Sequence, residues 1–163
     1  MRKTTARSIM TDSIVSVSPE SPLADVLRLF VEEGIHGAPV VDDDGRFVGV
    51  MSTTDLLRAE HEDQGSVLST VDHLQDLVEF SLPDGLSGGS GDFQDRLAQR
   101  TVAEVMTTSF ASVPADAPIE AVARCLRENA IHRVWVVDGD RVCGVVSTLD
   151  LMPIVEELAG AAG

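Results

Sequence analysis

The chain has 163 residues, enough for one ordinary domain or for two very small ones sharing a core. Its 27 acidic against 12 basic residues give a formal net charge of −15. That balance repels phosphate backbones and anionic headgroups, and it argues against nucleic-acid or membrane binding as a main role.

The first residues, Met1 to Arg7, are basic, but no apolar run follows them, so a secretory signal of the usual form is not expected. No stretch approaches the ~20 apolar residues of a membrane span. Cys125 and Cys143 each sit in an apolar pattern, outside any Cys-x-x-Cys pair, and read as buried structural thiols of a reducing, cytoplasmic compartment. With five Phe, one Trp and no Tyr, the core falls to Val, Leu, Ile, Ala and Met. Eleven of the twelve basic residues are Arg, so anion recognition falls to guanidinium groups.

Ile14 to Val17 is a short β-prone run. Ser21-Pro22 reads as a helix N-cap followed by proline at the first helical position. Leu23, Val26, Leu27 and Phe30 recur at helical spacing, and Gly34 provides the helix stop. Two strands follow, Ala38 to Val41 and Phe47 to Met51, around an Asp42-Asp43-Asp44-Gly45 turn. Ser52 then opens another helix. In the segment from about 61 to 100, Val67 to Phe80 has apolar residues at helical spacing. Pro83-Asp84-Gly85 and Ser87-Gly88-Gly89-Ser90-Gly91 follow as a flexible loop, and Asp92 to Gln99 reads as another short helix. The segment is either a docked helix with a mobile tip or a partner-binding lid.

From Thr101 the first pattern returns, with one single-residue gap. Ile9-Met10-Thr11 matches Val105-Met106-Thr107, Gly34-Ile35-His36 matches Ala130-Ile131-His132, and Val40-Val41-Asp42 matches Val136-Val137-Asp138. Gly49 to Leu56 matches Gly144 to Leu151. The second copy repeats the strand as Phe110 to Val113 and the helical stripe as Ile119, Val122, Ala123 and Leu126, with Asp138-Gly139-Asp140 as its turn. Each copy has the order β-α-β-β-α. About 50 residues cannot bury that much structure alone. The fold class is therefore α+β: tandem β-α-β-β-α repeats packed about a pseudo-twofold axis, with copies at 5–60 and 101–158 and a helical insertion at 61–100.

Ser-x-x-Asp occurs at one place in both copies, Ser52 to Asp55 and Ser147 to Asp150. Structurally this is a capping box. Functionally, an Asp projecting from a first helical turn can accept bonds from both hydroxyls of a ribose, while the helix start and Ser hydroxyl hold a phosphate. Recurrence after matched Gly-Val strands favours the second reading.

Pro-Val-Val-Asp, an acidic turn and Gly-Val-Met-Ser-Thr-Thr-Asp-Leu together resemble the signature of CBS (cystathionine-β-synthase-type) domains. So does Ile-His-Arg-Val-Trp-Val-Val-Asp with Gly-Val-Val-Ser-Thr-Leu-Asp-Leu. The resemblance covers both copies and implies a free-standing CBS domain pair, or Bateman module, that senses an adenosine-containing ligand. AMP, ADP, ATP and S-adenosylmethionine are the candidates; no cofactor is required. It also implies a homodimer and an unidentified protein partner.

Carried over by residue, the resemblance makes Asp55 and Asp150 the ribose carboxylates. One cleft would join Ser52 and Asp55 to Ser109, Ala111, Ile131, His132 and Arg133. The other would join Ser147 and Asp150 to Ser13, Val15, Ile35 and His36. Only the first contains an Arg beside its His, since Gly37 follows His36, so it is expected to hold phosphate-bearing ligands more tightly. The alternative for the histidines is two helix-end residues facing solvent or filling a gap. Trp135 stands where the first copy has Pro39, reading as a packed core ring with adenine stacking as the alternative. Pro153 should kink the last helix or mark a later start. Catalysis is not expected: no His-x-x-x-His pair or Cys beside a His is present, and no metal centre is evident. The alternative to a sensor is an interaction or oligomerisation module that binds no ligand.

Overall fold

The structure, a computed structural model, describes residues 4–62 and 91–162. The helix expected over Val67 to Phe80, and the loop from Pro83 to residue 90, lie outside those residues. Two compact units emerge. The first comprises Met1–Val15, Gly45–Phe47 and Ser109–Gly163; the second comprises Ser16–Asp44 and Val48–Thr108.

The second unit is built on the first sequence copy. The short N-terminal turn α1 (Ala6–Ile9) belongs to the first unit; in the second, helix α2 (Leu23–Glu33) is succeeded by strands β1 (Gly37–Val41) and β2 (Phe47–Ser52) and by α3 (Thr53–Glu62). Helices α4 (Gly91–Ala98) and α5 (Val102–Val105) come after. Leu23, Val26 and Phe30 of the expected stripe are buried with Val40, Met51 and Leu56, and α4 adds Leu97 to that core. Gly34 ends α2 in the left-handed region at φ 63°, as expected of a helix stop. Ser21 is not the cap. Pro22 itself holds the N-cap position with extended backbone, and the Ser21 carbonyl instead accepts the Val102 N–H at 3.0 Å.

Most of the expected first strand is absent. Val17 alone pairs with Val40, in parallel, through bonds of 3.0 Å to the Pro39 carbonyl and 2.9 Å from the Val41 N–H. The Ile14 N–H turns onto the Asp12 carbonyl at 3.0 Å, so the preceding chain does not run extended beside β1.

In the first unit, β3 (Ser112–Pro114), β4 (Arg133–Asp138) and β5 (Arg141–Ser147) form a three-stranded sheet in that order. Strand β3 starts two residues later than Phe110, pairs with β4 in parallel, and places Val113 opposite Val136. Strands β4 and β5 are antiparallel, with Arg133 opposite Ser147. Helix α6 (Ile119–Glu128) buries Val122 and Leu126 against this sheet, while Ala123, expected on the stripe, faces solvent. The chain then forms a 3-10 turn (Thr148–Leu151) and α7 (Met152–Ala161). Pro153 thus marks a later helix start, in the first turn of α7, where its missing N–H costs no bond.

Trp135 is half-buried rather than a core ring. Phe47 meets it edge-on at 6.1 Å and lies tilted on Phe110 at 4.2 Å. Cys125 and Cys143 are free and half-buried. Desolvation pushes the Cys143 thiol above its ordinary range, and it donates to the Val136 carbonyl at 3.4 Å, as a structural thiol would.

The leading segment of each copy is packed in the unit built on the other. Thr11 exchanges two backbone bonds with Val145, and Thr107 exchanges two with Val50. Both segments begin with a capped turn, Thr5 on Ser8 and Thr101 on Glu104. The Thr101 backbone N–H holds the Glu104 carboxyl below the usual range. A depressed folded pKa means that this cap contributes above the unfolded pKa and is lost as pH falls through the folded one.

Ala130, the counterpart of Gly34, is forced to φ 51°. A side chain there costs about 1–2 kcal/mol of steric strain. Ala130→Gly is expected to stabilise the chain by about 0.5–1 kcal/mol after the entropy that glycine adds to the unfolded state, read from urea unfolding.

Candidate functional site

Both Ser-x-x-Asp motifs form at the junction of a strand and a helical turn. Strand β2 ends on Ser52 and β5 on Ser147, and the following N–H is taken up by the preceding hairpin arm. Thr53 donates to the His36 carbonyl at 3.0 Å and Thr148 to the His132 carbonyl at 2.9 Å. Each Ile-His pair is therefore fixed by its backbone to its own copy's Ser-x-x-Asp, leaving the imidazoles of His36 and His132 exposed. Arg133 is exposed too and has no ion pair with a described residue.

Asp55 Oδ2 accepts the Ser52 backbone N–H at 2.9 Å and the Ser52 hydroxyl at 2.8 Å. Asp150 Oδ2 accepts the same pair from Ser147 at 2.7 and 2.8 Å. The likeness ends there. Asp55 Oδ1 also accepts Arg58 Nη1 and the Thr107 hydroxyl, both at 3.2 Å, and the side chain is only 3% exposed. Asp150 Oδ1 accepts nothing from any described residue, and its side chain is half-buried. Arg58 stands three residues after Asp55, where the second copy has Pro153.

Of the expected site residues, the first unit holds Ser13, Val15, Ser109, Ala111, Ile131, His132, Arg133, Ser147 and Asp150, and the second holds Ile35, His36, Ser52 and Asp55. Ser13 and Ser109 are exposed; Val15, Ile35, Ala111 and Ile131 are half-buried. Sequence reasoning missed Arg58 and Thr107. Arg58 was detectable as an Asp-x-x-Arg pair on one helical face, and Thr107 only as the partner of Thr11 in the repeated Ile/Val-Met-Thr. No group of three or more His, Cys, Asp or Glu able to hold a metal occurs among the described residues, and none of their helices is long and apolar enough to cross a membrane.

Comparison with known proteins matches the architecture. The uncharacterized protein MJ1426 of Methanocaldococcus jannaschii is 33% identical over 153 residues, covering 90% of this chain and 88% of that protein. A crystal structure of CBSX2, an Arabidopsis thaliana protein, in complex with AMP is 27% identical, with a TM-score of 0.65 and coverage of 95% and 98%. The CBS domain pair of MJ0100, solved with 5′-methylthioadenosine and S-adenosyl-L-methionine, shares the fold at 18% identity, a TM-score of 0.64 and coverage of 95% and 98%. The CBS domain family matches residues 6–62 and 102–157, the two copies read from the sequence. With both copies matched and each ending its last strand on a bonded Ser-x-x-Asp, the chain belongs to the CBS domain family, as a tandem pair.

Proposed function

We propose that the chain is a regulatory, non-enzymatic module that binds an adenosine-containing ligand, AMP, ADP, ATP or S-adenosylmethionine, and passes its presence to a protein partner. The observation that carries the reading is the pair of Ser-bonded aspartates, each aimed from the first turn after a strand end. CBSX2, 27% identical and solved with AMP, supports the ligand class. Asp55 and Asp150 receive the ribose hydroxyls. His132 and Arg133, exposed in a chain of net charge −15, are the candidate groups for a ligand's phosphate. Ser52 and Ser147 stand beside the sugar on their own aspartates, and Ser13, Val15, Ile35, His36, Ser109, Ala111 and Ile131 are the further candidate contacts.

Isothermal titration with AMP, ATP and S-adenosylmethionine tests this. Binding that falls about tenfold or more in Asp55→Asn or Asp150→Asn supports it, as lost hydrogen bonds to a bound ligand should. Silence of the wild-type chain across the panel overturns it. That silence would favour the second reading, an interaction module. The observation for that one is α7, which buries no residue and, with the preceding turn, exposes Leu149, Met152, Val155 and Leu158. The same stripe supports self-association into a homodimer. Leu158→Glu is expected to shift the sedimentation coefficient toward the monomer without lowering the unfolding midpoint. In either reading a ligand shifts the module's equilibrium only by its differential affinity for the two states.

A further inference from the structure

The two ribose aspartates carry different loads. A carboxylate offers about four lone-pair sites. Asp55 has four donors on it: the Ser52 N–H and hydroxyl, Arg58 and the Thr107 hydroxyl. Asp150 has two, both on Oδ2. The free oxygen of Asp150 can accept two vicinal hydroxyls as it stands. Asp55 has no place for a ribose hydroxyl until Arg58 or Thr107 lets go, and the departure of one of them frees a single site.

Arg58 is the donor able to leave. Thr107 is tied by its backbone to Val50 through bonds of 2.9 and 2.8 Å, whereas the Arg58 side chain is 52% exposed and holds Asp55 through one contact. A guanidinium moves readily from a single contact to an anion that can engage it through two parallel N–H bonds. A ligand without an anionic group offers no such exchange. We propose that Arg58 is the specificity-determining residue of the first-copy site. It keeps Asp55 closed to neutral adenosine compounds and yields to those bearing a phosphate. The second-copy site, with Pro153 at the matching position, accepts both classes. The inference rests on the reading that the aspartates receive the ribose.

The test is titration of the full chain with adenosine and with AMP, in the wild type, Asp150→Asn, Arg58→Ala and the Arg58→Ala/Asp150→Asn double variant. The wild type should bind adenosine at one site and AMP at two. Asp150→Asn should lose adenosine by about tenfold or more while retaining one AMP site. Arg58→Ala should bind adenosine at two sites. The double variant should regain adenosine binding, a gain that misfolding cannot produce. Wild-type adenosine affinity in Asp150→Asn would overturn the proposal. So would a double variant silent to adenosine, whether or not it still binds AMP. A wild type silent to adenosine, AMP, ATP and S-adenosylmethionine alike would overturn the ribose reading and the latch with it, whereas a double variant silent to adenosine beside a wild type that binds sinks the latch alone.

Discussion

Gly144→Ala is expected to destabilise the chain by about 2–3 kcal/mol, and Gly49→Ala by about 1–2 kcal/mol, the range for forcing one methyl into a packed site. Both glycines lie in the last strand of their copy, under the methionine of the leading segment. A methyl on Gly144 would stand 2.5 Å from Met10 Sδ, 2.8 Å from Met10 Cγ and 2.9 Å from the Thr11 carbonyl oxygen. On Gly49 the corresponding distances are 2.7 Å to Met106 Sδ, 3.2 Å to Met106 Cγ and 3.1 Å to the Thr107 carbonyl. The thioether can swing aside, since methionine has three rotatable bonds. The carbonyls cannot move freely, because Thr11 and Thr107 are each held by two backbone bonds of 2.8–3.0 Å. The contact to backbone is closer at Gly144, and that sets the order of the two variants. Adding Met106→Ala should recover most of the loss in Gly49→Ala. Adding Met10→Ala should recover only part of it in Gly144→Ala. Urea unfolding of the four variants measures both; equal costs with no rescue would show that the methionine seats are not what the glycines provide.

Those seats also mark where the sequence stops being legible. Much of the local structure was readable: the α2 stripe, the Gly34 stop, the acidic turns and the two Ser-x-x-Asp starts each follow from a few neighbouring residues, whereas the Ser21 cap and Ala123 on the second stripe were misread. The repeat itself was readable because duplication leaves identical residues at matched positions. The packing of each leading segment was not. Thr11 meets Val145 and Thr107 meets Val50 across long stretches of chain, and no periodicity announces such a pairing. A period-2 run of four residues says that a strand is possible, not what lies beside it, so Ile14 to Val17 was read as a strand and forms one bridge. The candidate site divides the same way. The capping partners of Asp55 and Asp150 lie three residues away and were evident, whereas Thr107 reaches Asp55 from 52 positions off and was not. Pro153 was recognised as a disturbance; what it displaces, an Arg in the other copy, became meaningful only once Arg58 was seen on Asp55.

Asp55→Ala is expected to cost about 2–3 kcal/mol of stability, and Asp150→Ala about 1 kcal/mol. Loss of a cap alone accounts for about 1 kcal/mol. Asp150 heads only a four-residue 3-10 turn and its side chain is half-buried, so water can replace it on the Ser147 N–H. Asp55 heads the ten-residue α3 and is 3% exposed, so removing it strands partly buried donors, at about 1–3 kcal/mol. Its Arg58 pair adds little, because the guanidinium is half in water and screened. Thr107 is the larger loss, since its hydroxyl is the side-chain tie from α3 to the segment after α5. Thr107→Val should therefore cost about 1 kcal/mol in the wild type and almost nothing in Asp55→Ala, a non-additivity that a double-mutant cycle by urea unfolding reads directly. If the two single costs simply add, Thr107 and Asp55 are not coupled and the larger cost of Asp55→Ala has another source. Coupling would mean that one carboxylate fastens the second unit through Thr107 while its counterpart is left open, so a ligand that displaces Arg58 alone would leave that tie in place.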